Sequence, residues 1–127
     1  MYKVISMLKR NPNVSPEEFK DFYERKHAPA AAAALAKYCS DYRRNYISRQ
    51  FLTIDGTVRE LTDPHGTQNF PYDIVTEFWF KDKESMDIVF AGFAARDRQA
   101  EAEDERYIDM NSIRVLIVQE MISRFPD

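Results

Sequence analysis

The stretch S-P-E-E-F-K-D-F-Y-E-R-K-H-A-P, residues 15–29, is the most strongly marked segment of this 127-residue chain. Ser15 is a favourable N-cap, Pro16 suits the first helical position, and Glu18 completes a capping box. Four residues at helical spacing then share one face: Phe19, Phe22, Tyr23 and His27. The sequence therefore predicts a helix from Pro16 to His27 that carries an imidazole on the same face as its aromatic anchors.

A proline follows this helix almost at once. Because Pro29 clashes with a helical backbone at the residue before it, we expect Ala28 to leave helical angles. An alanine-rich piece, Ala30–Lys37, follows and has high helix propensity. We therefore predict one long helical element that is kinked or broken at Pro29.

Outward from this element, the pattern of apolar residues predicts four strands: Tyr2–Lys9, Arg43–Ile54, Tyr72–Phe80 and Arg114–Ser123. In the third strand, Ile74, Phe78 and Phe80 share one face, whereas Val75 and Trp79 share the other with Asp73 and Glu77. Asp82 is expected to cap a second helix, with apolar residues at Met86, Val89, Phe90 and Phe93. Thr57–Phe70 is predicted to be a long loop, and Arg96–Glu105 a charged helical continuation or surface loop.

The resulting order, β-α-β-β-α-β, is the ferredoxin-like arrangement of the α+β class, in a single domain over residues 1–127. It places a four-stranded antiparallel sheet under two helices that cover one face. Several strands are apolar on both faces, so the other face would leave Val75 and Trp79 in water. We therefore expect a homodimer, sheet facing sheet, that encloses a barrel.

Composition narrows the class of partner and compartment. The net charge of −3 argues against a nucleic-acid partner, which would need a basic surface. The single cysteine, Cys39, excludes an internal disulfide framework and favours a reducing, cytoplasmic setting. No apolar run suggests a signal peptide or a membrane span, so we expect no membrane partner.

Neither a metal nor an organic cofactor is expected. The two histidines, His27 and His65, are far apart and belong to no zinc-type spacing, and the three glycines are too scattered to form a phosphate-binding loop. His65 is read as an ordinary loop residue.

Several motifs together resemble one known family. They are the opening strand with M-L-K-R-N-P, then S-P-E-E-F, K-H-A-P, Y-D-I-V-T-E-F-W-F, and D-E-R-Y-I-D near the end. In this order they are similar to the EthD-like proteins of the dimeric α/β-barrel superfamily, over nearly the whole chain and least around Thr57–Phe70. The resemblance implies a small dimer without cofactor, related to methylmuconolactone isomerases and to dehydratases of aromatic polyketide pathways.

The resemblance also implies roles for particular residues. It makes His27 the candidate for proton transfer and matches the family's acidic strand residue to Glu77 and its tryptophan to Trp79. The late motif matches Asp104, Glu105 and Asp109. The alanine run after Pro29 departs from the family pattern, which leaves the shape of the pocket mouth open.

The remaining candidates come from the residues themselves. Tyr46 and Tyr23 are candidate donors to a developing oxyanion. Ser48 lies in sequence near Tyr46, in a polar patch inside a cavity or on an exposed face, and Asp73 is placed at the rim. For two residues a structural role is the alternative: a backbone hydrogen bond for His27, and a salt bridge to Arg44 or Arg114 for Glu77.

Three functions fit these residues. The leading hypothesis is a cofactor-independent lyase, dehydratase or isomerase that moves a proton next to a carbonyl on an aromatic, polyketide-like or lactone substrate, with His27 as acid or base. The alternatives are a cofactorless oxygenase of phenolic or anthrone substrates, and a non-catalytic protein that only binds a metabolite.

Overall fold

Four antiparallel strands form the main sheet of the protein, whose computed structural model describes residues 2–63, 69–94 and 98–127. The strands of this sheet are β1 (Tyr2–Arg10), β2 (Cys39–Tyr46), β5 (Ile74–Phe80) and β6 (Ile108–Val118). Their spatial order is β2-β5-β1-β6, and every neighbouring pair is antiparallel. The α+β class and the ferredoxin-like sheet with its helices are therefore confirmed.

The long helical element, predicted to be kinked or broken at Pro29, is unbroken but contains a π-turn just before the proline. It consists of α1 (Pro16–Phe22), a π-turn (Tyr23–His27) and α2 (Ala28–Leu35). The capping box is present: Glu18 N donates to Ser15 Oγ at 3.1 Å, and Ser15 N donates to Glu18 Oε1 at 3.3 Å.

The prediction for Ala28 is wrong, because this residue keeps helical angles, φ −65° and ψ −42°. Its N–H bonds to the Tyr23 carbonyl five residues earlier. In a regular α-helix the ring of Pro29 would clash with the carbonyl of Arg25. Proline also has no N–H to donate to that carbonyl. The wider π-turn avoids this clash, so the helix continues past Pro29 instead of ending there.

The predicted strand Arg43–Ile54 is wrong in extent, because it is two strands in two sheets. Its first part belongs to β2, and its second part is β3 (Gln50–Ile54), which pairs only with β4 (Thr57–Leu61) in a separate hairpin. The turn at Asp55 and Gly56 has positive φ at both residues, as a tight hairpin requires. Thr57–Leu61 is consequently a strand and not the start of a loop, and His65 lies outside the described residues.

The other predicted elements keep their type with different bounds. The third predicted strand begins at Ile74, and the last runs over Ile108–Val118 instead of Arg114–Ser123. The second helix is α3 (Lys83–Ala94), with Asp82 Oδ1 accepting from Ser85 N at 2.7 Å as predicted. The charged run is a helix, α4 (Arg98–Glu105), and Arg96 at its predicted start lies outside the described residues. In the described part of the chain, no helix combines the length and apolar character needed to cross a bilayer.

Two separate groups of buried residues form the core between the sheet and the helices. The first contains Leu8, Phe19, Phe22, Tyr23, Ala28, Ile74 and Ile108. The second contains Val4, Leu35, Phe80 and Met86. The predicted alternation of β5 is confirmed, because Ile74 and Phe80 belong to this core. The division of the core leaves room between the two groups.

Candidate functional site

A cavity of about 970 Å³ lies between the helices and the sheet. Its floor is made by inward-facing residues of β1, β5, β2 and β6, including Ser6, Thr76 and Tyr42. Its walls come from the π-turn, α2, α3 and α4. Most of its lining is apolar, as in pockets that bind small organic molecules.

His27 enters this cavity from the end of the π-turn. Its ring lies against Tyr23, with centroids 4.4 Å apart and planes inclined by 30°. Its Nδ1 lies 3.5 Å from Asp104 Oδ1, and the two side chains are only 23% and 9% exposed. A buried carboxylate beside an imidazole fixes the orientation of the ring.

A second contact joins the same two elements at the edge of the cavity. Lys26 Nζ lies 3.0 Å from Glu103 Oε1, one residue before each member of the His27–Asp104 pair. Both side chains are largely exposed, so the contribution of this ion pair to stability is small. The position of this ion pair shows that α4 and the π-turn are in contact at the edge of the cavity, with His27 on the inner side of the contact.

Two phenol groups line the same cavity as the imidazole. Tyr23 is 3% exposed, and burial, reinforced by the neighbouring Tyr42, raises its pKa well above the ordinary value. Burial also raises the pKa of Tyr42, whose ring stacks on Phe78 at 4.8 Å. The Tyr42 hydroxyl is buried and makes no hydrogen bond of ordinary geometry with any described residue. Both groups therefore stay protonated at neutral pH and are able to donate to an oxyanion.

Tyr46, a predicted catalytic residue, lies outside the lining of the cavity. Its hydroxyl donates to Glu24 Oε2 at 2.5 Å, and Arg44 holds the same carboxylate with Nε and Nη2 at 2.6 and 2.8 Å. Burial and this carboxylate raise the pKa of Tyr46 far above its usual range. These three side chains form a hydrogen-bonded network that joins the π-turn to β2. Tyr46 therefore has a structural role.

Glu77 and Trp79 lie on the opposite face of the sheet from His27. Lys3 Nζ lies 3.0 Å from Glu77 Oε1 and 2.7 Å from Glu120 Oε2. Trp79 Nε1 donates to Glu120 Oε1 at 3.0 Å, and the Lys3 ammonium lies 4.6 Å from the centre of the tryptophan ring. The salt-bridge partner of Glu77 is thus Lys3 instead of Arg44 or Arg114, and Asn45 Nδ2 donates to its other oxygen at 3.2 Å.

Asp73 and Ser48 also lie away from the cavity. Asp73 Oδ2 accepts from Arg10 N at 2.8 Å, which ties the start of β5 to the end of β1. Ser48 is exposed in the segment that follows β2. Of the seven residues proposed from sequence, the structure brings only His27 and Tyr23 together at the cavity.

Sequence reasoning did not assign Asp104 and Tyr42 to the site. Asp104 was matched as part of the late D-E-R-Y-I-D motif, but its nearness to His27 depends on how α4 folds back. Tyr42 shares its strand face with Tyr46, so the alternation of β2 was the available signal. Among the described residues no group of three or more histidine, cysteine or carboxylate side chains is placed to hold a metal ion.

Comparisons with known proteins agree on the fold. Solved structures of the Arabidopsis thaliana protein At3g17210 match with a TM-score of 0.52, one by crystallographic ensemble refinement at 14% identity and one in solution at 13%. Each match covers 98% of this chain, and 100% and 91% of the Arabidopsis chain respectively. No curated protein matches. The pattern of the EthD domain matches residues 11–111, most of the length, and the chain therefore belongs to the EthD family, within the dimeric α/β-barrel superfamily.

Proposed function

We propose that this protein is a cofactor-independent lyase, dehydratase or isomerase that moves a proton next to the carbonyl of a small ring ketone or lactone. The observation that carries the proposal is His27 facing a mainly apolar cavity, with Asp104 beside its Nδ1 at 3.5 Å. An imidazole exchanges protons near neutral pH, and an apolar chamber suits a ring substrate. Elimination and isomerisation next to a carbonyl share this first step.

The residues around the cavity divide the chemistry between them. Because Nδ1 is turned toward Asp104, we assign the proton transfer to Nε2 of His27. Asp104 acts as a positioning residue that holds the ring and stabilises the imidazolium. The phenols of Tyr42 and Tyr23 donate to the enolate oxygen, the role for which the sequence suggested Tyr46 and Tyr23.

Proton transfer is measurable without the natural substrate. We expect the protein to catalyse exchange of the α-hydrogens of 1-tetralone or γ-butyrolactone with deuterium from D₂O, followed by NMR. Replacing His27 with Gln removes the acid–base group and should lower the catalysed rate at least about a hundredfold. Arg25→Gln is the matched control, because Arg25 lies in the same turn with a largely exposed side chain and does not line the cavity.

Asp104→Asn tests the positioning role in the same assay. It should lower kcat by about tenfold or more while KM changes little, since Asp104 supports His27 and does not hold the ketone. A His27→Gln variant that exchanges as fast as the wild type would remove His27 from the mechanism.

The two alternative functions predict different results. A binding protein would take up 1-tetralone without raising the exchange rate above that of buffer. A cofactorless oxygenase would consume oxygen in the presence of anthrone. Either result would replace the proposal of proton transfer.

We further propose that two copies of the chain associate through the face of the sheet opposite the helices. Ile5, Met7 and Val75 are only half-buried on this face of a single chain, and Leu116 beside them is 45% exposed. Covering these side chains with a second copy would remove apolar surface from water.

A further inference from the structure

The cavity extends well beyond the reach of His27. From His27 the lining continues along α2 to Leu35, eight residues further, which corresponds to about 12 Å of helix. On the floor it runs from Leu8 to Val4 along β1, a similar length. The two groups of core residues lie at its two ends.

The character of the lining changes along this length. The charged side chains of the lining, Lys26, Glu103 and Asp104, lie at the end near His27, together with the phenols of Tyr23 and Tyr42. The floor further along carries the hydroxyls of Ser6 and Thr76, and the far end is made mainly by apolar side chains beside the phenol of Tyr38: Val4, Leu35, Phe80, Val89 and Phe90. A ligand that fills the whole cavity therefore meets charged groups at one end and a mainly apolar surface over the rest.

The width of the far part depends on small residues of α2. This helix lines the cavity with Ala30, Ala31 and Ala34, whose side chains are single methyl groups. Opposite them, α3 contributes Ile88 and Phe93, which are 45% and 56% exposed. Large apolar side chains at the edge of an open cavity favour a ligand that covers them.

We propose that the substrate is an elongated amphipathic ketone or lactone whose apolar ring system or chain lies between α2 and α3, with Ala34 and Ala30 as the residues that admit it. The inference rests on the proposed function for the place of the carbonyl, which lies at the His27 end. The apolar part extends from there over about 12 Å of helix toward Leu35 and Phe80. A compound with a single ring fills only the polar end and leaves the far end without contacts.

Binding measurements test this proposal separately from turnover. The probes are cyclohexanone, 1-tetralone and 1-oxo-1,2,3,4-tetrahydrophenanthrene, which carry one, two and three rings and one carbonyl each. Titration calorimetry with the wild type should show affinity that rises with each ring by about tenfold or more, the scale on which apolar pockets discriminate ligand size.

Two variants of neighbouring alanines give the decisive comparison. Ala34→Phe adds a ring to the cavity lining on α2 and should abolish the gain from the second and third rings while leaving the affinity for cyclohexanone unchanged. Ala33→Phe is the control, because Ala33 is exposed on the same helix and does not line the cavity. Both positions tolerate a larger side chain, since Ala34 is also largely exposed.

The results separate this inference from the proposed function. Affinity that does not rise with ring number in the wild type overturns it, and so does an equal effect of the two phenylalanine variants. If ring-dependent binding responds only to Ala34→Phe but no probe exchanges its α-hydrogens faster than in buffer, the inference stands and the proposed proton transfer fails.

Discussion

Glu24 shows how a single side chain in this protein joins two elements. It accepts hydrogen bonds from Arg44 and from the Tyr46 hydroxyl, across the packing of the π-turn on β2. The guanidinium of Arg44, against the opposing effect of burial, holds the pKa of Glu24 below its ordinary value. The charged carboxylate therefore stabilises the folded chain.

The lowered pKa of Glu24 predicts a pH dependence of stability. As pH falls, the unfolded chain takes up the proton first, so this stabilisation is complete above the ordinary carboxyl pKa and is lost as pH falls through the lower folded value. Glu24→Gln should lower the free energy of unfolding at pH 7 by about 1 kcal/mol, since partial exposure screens the pair. The difference from the wild type should shrink below about pH 4 in urea titrations.

Asp21→Asn is the matched control for this measurement, because Asp21 makes an exposed ion pair with Arg25 on the same helical element. It should leave stability and its pH dependence nearly unchanged. An equal loss in both variants would mean that general surface charge, and not the contact with Arg44, accounts for the effect.

The sequence predicts which way an individual side chain faces where a helical or strand period determines it. The helical stripe located Tyr23 and His27 correctly, and the alternation of β5 placed Glu77 and Trp79 on one common face. The same alternation puts these two residues on the face away from the helices, so only the family resemblance made them candidates beside His27. Tyr42 and Asp104 are distant from His27 in sequence and were not grouped with it, because their nearness depends on how the chain packs the helices on the sheet.

At the scale of elements, the π-turn is the feature that places the imidazole. It adds one residue to a single turn and so changes the direction of every side chain after it relative to α1. Nothing in a helical period signals this change, and only Pro29 indicated that the hydrogen-bond ladder must be disturbed. Local patterns also did not reveal the hairpin of β3 and β4. The β-rich sequence continues without interruption where the chain passes from the main sheet to the hairpin.

Pro29→Ala tests the origin of the turn. Alanine supplies the missing N–H and removes the ring, so we expect Tyr23–His27 to relax toward a regular α-helix and His27 to move away from Asp104. Exchange of 1-tetralone α-hydrogens should fall at least about tenfold, while the melting temperature should not fall, because alanine is the better helix former. NMR of the backbone amides follows the change in hydrogen bonding.

Pro16→Ala is the corresponding control, because Pro16 lies at the start of α1, where a proline is tolerated. It should leave the exchange rate unchanged. If Pro29→Ala also keeps the full rate and the turn persists, packing against β2 and not the proline holds His27 in place.

For the whole molecule, the order of elements was sufficient to predict the fold. Strand and helix types follow from local patterns, and few topologies satisfy β-α-β-β-α-β with short connections. The extra hairpin and α4 do not alter that arrangement. The site was less predictable, because it is formed by the space that two parts of the core leave between them.

The proposed dimer makes a prediction at this scale. Leu116→Arg would place a charge in the face that a second copy is proposed to cover, and should weaken association at least about tenfold. Ile117→Arg is the control, because Ile117 is also exposed but faces the other side of the same strand. Size-exclusion chromatography with light scattering measures both, and a wild-type chain that stays monomeric would contradict the proposal.

The position of Trp79 has a practical consequence for all of these measurements. It is the only tryptophan of the chain, and the sheet separates it from the cavity. Its emission should therefore stay constant when a ketone enters beside His27 and change when the opposite face is covered. The molecule thus carries an optical reporter for the proposed assembly, separate from the proposed binding of a ketone.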